Sequence, residues 1–162
     1  MVDLTAYSKT VYDIIGAAMT VHSELRWGLL EAVYQEALHL ELCDRGIEHE
    51  KESKIQIYYK QRILTKKYKM DFVVGDIIVE LKSAMELIPA HRAQLCNYLR
   101  LSRKPVGLLI NFGEEALMGE RWGYDKSTNQ CFIVDRNMQP ISDANYHSLL
   151  HNPNIIEEDD EF

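Results

Sequence analysis

The 162 residues suit one domain with a sizeable core, and 46% apolar and 27% charged residues are ordinary for a soluble globular protein. The N-terminal MVDLTAYSK lacks the basic and apolar segments of a secretory signal, and no apolar run approaches a membrane span, so we expect a cytoplasmic protein without a membrane partner. Cys43, Cys96 and Cys131 are odd in number and widely spaced, which argues against a disulfide framework, a structural zinc site and an iron–sulfur cluster.

Charge is distributed unevenly along the chain, whose net charge is -7. The ending IIEEDDEF concentrates acids, so residues 154–162 are predicted to be a disordered acidic tail. Basic residues form two clusters, Lys60, Arg62, Lys66, Lys67 and Lys69, then His91, Arg92, Arg100, Arg103 and Lys104. Such patches can bind phosphate in an acidic protein, although each cluster alone is equally well explained as a solvated face.

Two helices are predicted in the first third of the chain. Apolar residues at three-and-four spacing indicate an amphipathic helix over about 5–25, which ends at Arg26-Trp27-Gly28. A second helix is predicted over about 29–44, with Gly46 well placed to close it.

The period then changes to that of strands. The runs SKIQIYYK, RILTKKYKMDFVV and DIIVELKSA predict a three-stranded meander, followed by a helix over about 90–101 that Pro89 begins. VGLLINF predicts a buried strand, and QCFIVDR favours another within the less legible 113–137. The order favours an α/β sandwich with a central sheet covered on both faces, in a single domain over about 1–153.

The hairpin MDFVVGDIIVELKSA places charges among apolar residues. A two-residue turn at Gly75-Asp76 would pair Phe72 with Val79 and, next along the strands, Asp71 with Glu80. Directly opposed carboxylates destabilise a sheet, so something should offset their repulsion. Two close carboxylates suit a hard divalent cation such as Mg²⁺.

Lys82 offers an alternative to a bound cation as the group that offsets the repulsion between the two carboxylates. Side-chain alternation places Lys82 on the same face as Glu80, so a surface hairpin with a neutralising lysine explains the same residues. The opposite face of the hairpin is apolar and fits a sheet packed beneath a helix; its members are Phe72, Val74, Ile77, Val79 and Leu81.

Several separated blocks resemble a known family. GLLEAVYQEAL fits the GxxExxY signature with Gly28, Glu31 and Tyr34, and AQLCNYLRL and VGLLINFG continue the match. The chain resembles the GxxExxY protein family over about 11–121, and through it the RecB-like branch of the PD-(D/E)XK nuclease superfamily. The family's Gly-Pro-Gly-like turn is replaced here by Arg26-Trp27-Gly28, and an extension over about 123–153 falls outside the resemblance.

The resemblance implies a restriction-endonuclease-like core, αβββαβ with an extra N-terminal helix, and roles for particular residues. Metal ligands would be Asp71, Glu80, the Leu81 carbonyl and Glu31. Lys82 would position or activate the attacking water, while Gln94 and Tyr98, which share a helix face, would orient the site and contact the phosphate backbone.

These roles have ordinary alternatives. Glu31 could be an acid favoured by a helix N-terminus, Tyr34 and Tyr98 packing aromatics, and Gln94 a local bridge. The histidines show no metal-ligand spacing and are predicted to be solvated or structural; they are His22, His39, His49, His91, His147 and His151.

Taken together, these residues predict a Mg²⁺- or Mn²⁺-dependent nuclease acting on nucleic acid, with DNA as the expected substrate. The expected nucleic-acid contacts are Lys66, Lys67, Lys69, His91 and Arg92. The main alternative is a catalytically inactive nucleic-acid or protein interaction module that retains the fold, since a fold does not dictate activity. A homodimer is compatible with the sequence, which fixes no oligomeric state.

Overall fold

A computed structural model of the chain describes residues 2–141. The predicted acidic tail at 154–162 and the end of the predicted C-terminal extension lie outside the described residues. Within residues 2–141, no helix is long and apolar enough to cross a membrane.

Three helices and six strands make up the described chain. The helices are α1 (Ser8–Leu25, preceded by a 3₁₀ turn at Thr5–Tyr7), α2 (Glu31–Asp44) and α3 (Pro89–Ser102). The strands are β1 (Glu50–Tyr59), β2 (Arg62–Val74), β3 (Ile77–Lys82), β4 (Val106–Asn111), β5 (Met118–Asp125) and β6 (Gln130–Val134).

The strands form one mixed sheet in chain order. All neighbouring strands are antiparallel except β3 and β4, which run parallel because α3 crosses over between them. The carboxyl ends of β3 and β4 therefore meet at the same edge of the sheet.

Each face of the sheet is covered by helices. On one face α1 and α2 pack on Phe72, Val79, Leu81 and their apolar neighbours, as predicted for the second face of the hairpin. On the other face α3 packs through Leu95 and Leu99 against β3, β4 and β5. The predicted α/β fold with a central mixed sheet and helices on both faces is confirmed.

The elements differ from the predictions in two places, the start of α2 and the strand β5. Helix α2 begins at Glu31 because Leu30 is extended, with φ −62° and ψ 142°. The predicted strand at QCFIVDR is present as β6, but β5 was not predicted. Its sequence MGERWGYD combines two glycines with Glu120 and Arg121, a composition untypical of a buried strand, yet both charged residues are buried.

Candidate active site

The two acids of the β2–β3 hairpin lie together where the strands separate. The predicted pair of Phe72 with Val79 is present, and the same turn pairs Val73 with Ile78 and Val74 with Ile77. Beyond them, the backbone N–H of Asp71 donates to Glu80 Oε1 at 2.9 Å, and the backbone N–H of Leu81 donates to Asp71 Oδ2 at 2.8 Å. Each carboxylate therefore contacts the backbone of the opposite strand, and the Glu80 side chain also hydrogen-bonds the Asp71 carboxylate.

Burial makes it costly to ionise both acids of this pair. Glu80 is only 3% exposed, and this burial, reinforced by the Asp71 carboxylate, raises the pKa of Glu80 to about 9. The Asp71 N–H and the Lys82 ammonium oppose the increase. Burial also raises the pKa of Asp71, against the hydrogen bond from Leu81 and the charge of Lys82. Without a further cation, the site thus disfavours two negative charges.

The loop before α2 is held by Tyr34. Its hydroxyl donates to the Arg26 carbonyl at 2.6 Å and accepts from the Leu29 N–H at 3.1 Å, while its ring stacks on Phe112 at 4.6 Å between centroids. Gly28 turns the loop with φ 88°, a conformation that glycine adopts without steric cost. Tyr34 is thus a buried packing aromatic whose hydroxyl fixes the residues leading to Glu31.

Glu31 is the first residue of α2 and reaches the edge of the acid pair. The Ser83 hydroxyl donates to the Leu29 carbonyl and so ties the loop before α2 to the end of β3. The Glu31 side chain is exposed, but neighbouring atoms still desolvate it and raise its pKa; Lys82 lowers that pKa and Asp71 raises it. The fold therefore brings Glu31 into electrostatic contact with the hairpin residues.

Helix α3 contributes two further predicted residues. Lys82 Nζ donates to Gln94 Oε1 at 2.8 Å, which leaves the Gln94 amide N–H to donate to the Tyr98 hydroxyl oxygen. Burial, followed by the charges of Glu80 and Asp71, raises the pKa of Tyr98 to about 12. Gln94 and Tyr98 thus hold Lys82 beside the two carboxylates.

Sequence reasoning missed Glu52 of β1. The pairs on either side of it, Lys51 with Phe72 and Ser53 with Met70, place Glu52 next to Asp71, and its charge raises the Asp71 pKa. Glu52 also has a positive φ of 55°, which is uncommon for a residue with a side chain. Only the β1–β2 register could have revealed this proximity, because the alternating pattern in the sequence begins after Glu52.

The lysines predicted to contact nucleic acid are all exposed on β2. Tyr68 of the same strand contacts α3, because its ring lies 5.4 Å from the Tyr98 ring. The β1–β2 pairing is irregular opposite residues 64–66, so strand alternation does not fix the direction of the Lys66 side chain. The three lysines precede Asp71 on the same strand.

The two predicted contacts on α3 have other partners. His91 Nδ1 accepts a hydrogen bond from the Ile88 N–H at 3.2 Å, and burial, Lys82 and Arg92 together lower the His91 pKa. Arg92 is 2% exposed and forms a buried ion pair with Glu120, whose Oε2 lies 2.7 Å from Arg92 Nη2. The prediction that Arg92 contacts nucleic acid is wrong, because its guanidinium is enclosed in this pair.

The donor set fits a hard divalent cation. Asp71, Glu80, Glu31 and the Leu81 carbonyl are oxygen donors of the kind that Mg²⁺ and Mn²⁺ prefer. A cation at this place would offset the burial that raises the pKa values of Glu80 and Asp71, and the Asp71 charge that raises the Glu80 pKa further. Glu80 Oε1 accepts from the Asp71 N–H, and the other lone pairs of the Glu80 carboxylate are available to a cation.

Comparison with known proteins gives a family match. A family model described as "PD-(D/E)XK nuclease superfamily" matches residues 8–122, which include every residue of the site described above. No curated protein sequence matches the chain. A solved structure titled "Crystal structure of SSO0001" is similar at 17% identity with a TM-score of 0.40, covering 74% of this chain and 69% of that chain.

Proposed function

The chain belongs to the PD-(D/E)XK nuclease superfamily, and we propose that it is a divalent-metal-dependent nuclease that hydrolyses the phosphodiester bonds of DNA. Within the superfamily, we assign it to the GxxExxY family and the RecB-like branch on Gly28, Glu31 and Tyr34. The main support is the Asp71–Glu80 pair, in which burial raises both pKa values beside Lys82 and the Asp71 charge raises the pKa of Glu80 further.

Asp71, Glu80 and the Leu81 carbonyl would hold Mg²⁺ or Mn²⁺, with Glu31 approaching from α2. The bound ion supplies a water of lowered pKa and polarises the phosphoryl group. The Tyr34 and Ser83 hydroxyls support Glu31 by fixing the loop from Arg26 to Leu30.

Lys82 would offset phosphate charge and position the attacking water. Its ammonium is a compact charge, and the hydrogen bond to Gln94 Oε1 limits the positions it can occupy. Tyr98 supports this arrangement through Gln94.

Nucleic acid would approach along the outer part of β2. Lys66 is exposed on β2, and its ammonium can pair with a phosphate. Lys67, Lys69 and the half-buried His91 remain proposed contacts at the margin of the same approach path.

The experiment is a cleavage assay on linear, circular and single-stranded DNA, with RNA in parallel, in Mg²⁺, Mn²⁺ or chelator. We expect metal-dependent cleavage of a DNA substrate. Glu80→Gln and Lys82→Met should each reduce the rate by at least about 100-fold, because each removes a group that stabilises developing charge.

Glu36→Gln is the matched control, because Glu36 is exposed on α2 and belongs to no part of the site. It should cleave at the wild-type rate. Cleavage that survives Glu80→Gln and Lys82→Met would indicate a contaminating enzyme and overturn the proposal. Metal-dependent binding of DNA without cleavage of any substrate would instead favour the inactive interaction module.

A further inference from the structure

A second group of metal-ligand side chains lies away from the acid pair, where α2 ends and β1 begins. Ligand atoms of His39, Cys43 and His49 all lie within 4.8 Å of one another. Sequence spacing gave no sign of a metal site at these histidines, and the three widely spaced cysteines argued against zinc. The structure nevertheless brings the three side chains together, because the third member of the group comes from beyond the helix.

Helix geometry explains how the three side chains meet. His39 and Cys43 are four residues apart and so lie on one face of α2. Gly46, with φ 68°, ends the helix, and the Ile47 N–H donates back to the Leu42 carbonyl at 2.9 Å. This turn reverses the chain and returns His49 to the helix face it has just left.

The imidazole of His49 is oriented as a ligand would be. Its Nδ1 lies 2.7 Å from the Ile47 carbonyl oxygen, which can only accept, so Nδ1 carries the hydrogen. In the neutral ring, Nε2 is therefore a lone pair, and it points at His39 Nδ1 at 2.8 Å. A backbone carbonyl bound to the second ring nitrogen is the usual support for a metal-binding histidine.

The distances are close to those of a tetrahedral zinc centre. Zn–N bonds of about 2.0–2.1 Å and Zn–S bonds of about 2.3 Å imply ligand separations of about 3.3 Å for two nitrogens and about 3.6 Å for nitrogen and sulfur. Cys43 Sγ is 4.0 Å from His39 Nδ1 and 3.9 Å from His39 Nε2, so the sulfur does not lie along the Nδ1 lone pair. To accommodate the ion, the two rings would move slightly apart, and the His39 ring and the Cys43 side chain would turn to bring the sulfur closer to Nδ1.

The cluster is also accessible. It lines an open groove of about 760 Å³ whose wall includes Glu48 and Lys104, and the Cys43 side chain is exposed. Sulfur and imidazole ligands select zinc over the hard cations that suit carboxylates. We propose that His39, Cys43 and His49 form a Zn²⁺ site, separate from the acid pair, whose fourth position is open to water or an external ligand.

The test uses the full chain with Co²⁺ as a spectroscopic probe of zinc sites. Asp71→Asn and Glu80→Gln in the background remove the acid pair, and His147→Asn and His151→Asn remove histidines outside the described residues. We expect a thiolate-to-cobalt charge-transfer band that Zn²⁺ abolishes, one Zn²⁺ bound per chain in calorimetry, and a higher melting temperature with Zn²⁺.

Substitutions within the cluster should weaken the binding of Zn²⁺ and Co²⁺ without unfolding the protein. The circular dichroism spectrum of each variant should therefore match that of the background protein. Cys43→Ser should remove the band, and His49→Gln should weaken Zn²⁺ binding by at least about tenfold. Cys131→Ser and His22→Gln are controls that should keep both the charge-transfer band and the Zn²⁺ affinity. Absence of the band, or its persistence in Cys43→Ser, would overturn the proposal whatever the nuclease assay shows, because this background lacks the carboxylate site.

Discussion

The Asp71 backbone N–H donates to the Glu80 carboxylate at 2.9 Å, so the two acids are coupled through main chain as well as through charge. This hydrogen bond only partly offsets the burial of Glu80, whose pKa remains at about 9. The metal-free site therefore holds a proton at neutral pH, and a divalent cation would have to displace it. Metal affinity and proton affinity are linked at this position.

The first prediction concerns stability against pH in chelator. The folded-state pKa of Glu80 lies above its unfolded value of 4.5, so its contribution to stability is full below pH 4.5 and is lost as pH rises towards about 9. Glu80→Gln stays neutral, so at pH 8 we expect it to be more stable than the wild type by about 1–3 kcal/mol.

Urea unfolding between pH 5 and pH 9 measures this difference. Glu36→Gln should follow the wild-type curve, because Glu36 is exposed. Parallel curves for the wild type and Glu80→Gln would show that the Glu80 carboxyl ionises normally in the folded protein.

The second prediction concerns the hydroxyl of Tyr34. Tyr34→Phe keeps the stacking on Phe112 but loses the bonds to Arg26 and Leu29, so we expect a loss of about 1–3 kcal/mol in the free energy of unfolding. The rate of DNA cleavage should also fall below that of the wild type, because the loop before Glu31 is no longer fixed.

Chemical denaturation and cleavage rates check this prediction against Tyr12→Phe, in which the replaced ring is 78% exposed. If Tyr34→Phe cleaved DNA at the wild-type rate, the Tyr34 hydroxyl would have no part in positioning Glu31.

The third prediction separates folding from nucleic-acid binding at Arg92. Arg92→Met would remove the guanidinium that pairs with the buried Glu120 carboxylate, which also accepts from the Trp122 indole N–H at 3.0 Å, so we expect a loss of about 3–5 kcal/mol in the free energy of unfolding. Arg92→Met with Glu120→Leu should recover part of that loss. Thermal or urea unfolding measures both, and weaker DNA binding at unchanged stability would contradict the structural role.

The fourth prediction concerns the lysines of β2. Lys66→Gln should reduce the slope of log K against log salt for DNA binding by about 1, because one phosphate contact is lost. Lys67→Gln and Lys69→Gln should each do the same, because these lysines are also exposed and are also proposed to contact phosphate.

Binding titrations at several salt concentrations give these slopes, with Lys126→Gln in the β5–β6 turn as the control. Equal slopes for the wild type and Lys66→Gln would place the nucleic acid elsewhere on the protein.

What sequence could predict depended on how far apart the interacting residues are in the chain. The hairpin pairs were predictable because a two-residue turn fixes the register of its neighbours. The buried role of Arg92 was not, because Glu120 is 28 residues away on a strand that was itself missed. The His39–Cys43–His49 group combines helix spacing with a reversal after Gly46, so no single periodicity describes it.

The same reasoning applies to the residues around the acid pair. Glu31, Lys82 and Gln94 were predicted by resemblance, whereas the bonds of the Tyr34 hydroxyl and the bond from Lys82 to Gln94 depend on tertiary contacts between elements. Glu52 was missed because its proximity to Asp71 depends on the register of β1 against β2.

The most direct measurement is the anomalous difference density of a crystal of the full chain soaked in Mn²⁺. We predict a peak in contact with carboxylate oxygens of both Asp71 and Glu80, with the Leu81 carbonyl as a further ligand. No peak between these two residues, with Glu80 still bonded to the Asp71 N–H, would contradict the view that a divalent cation joins them.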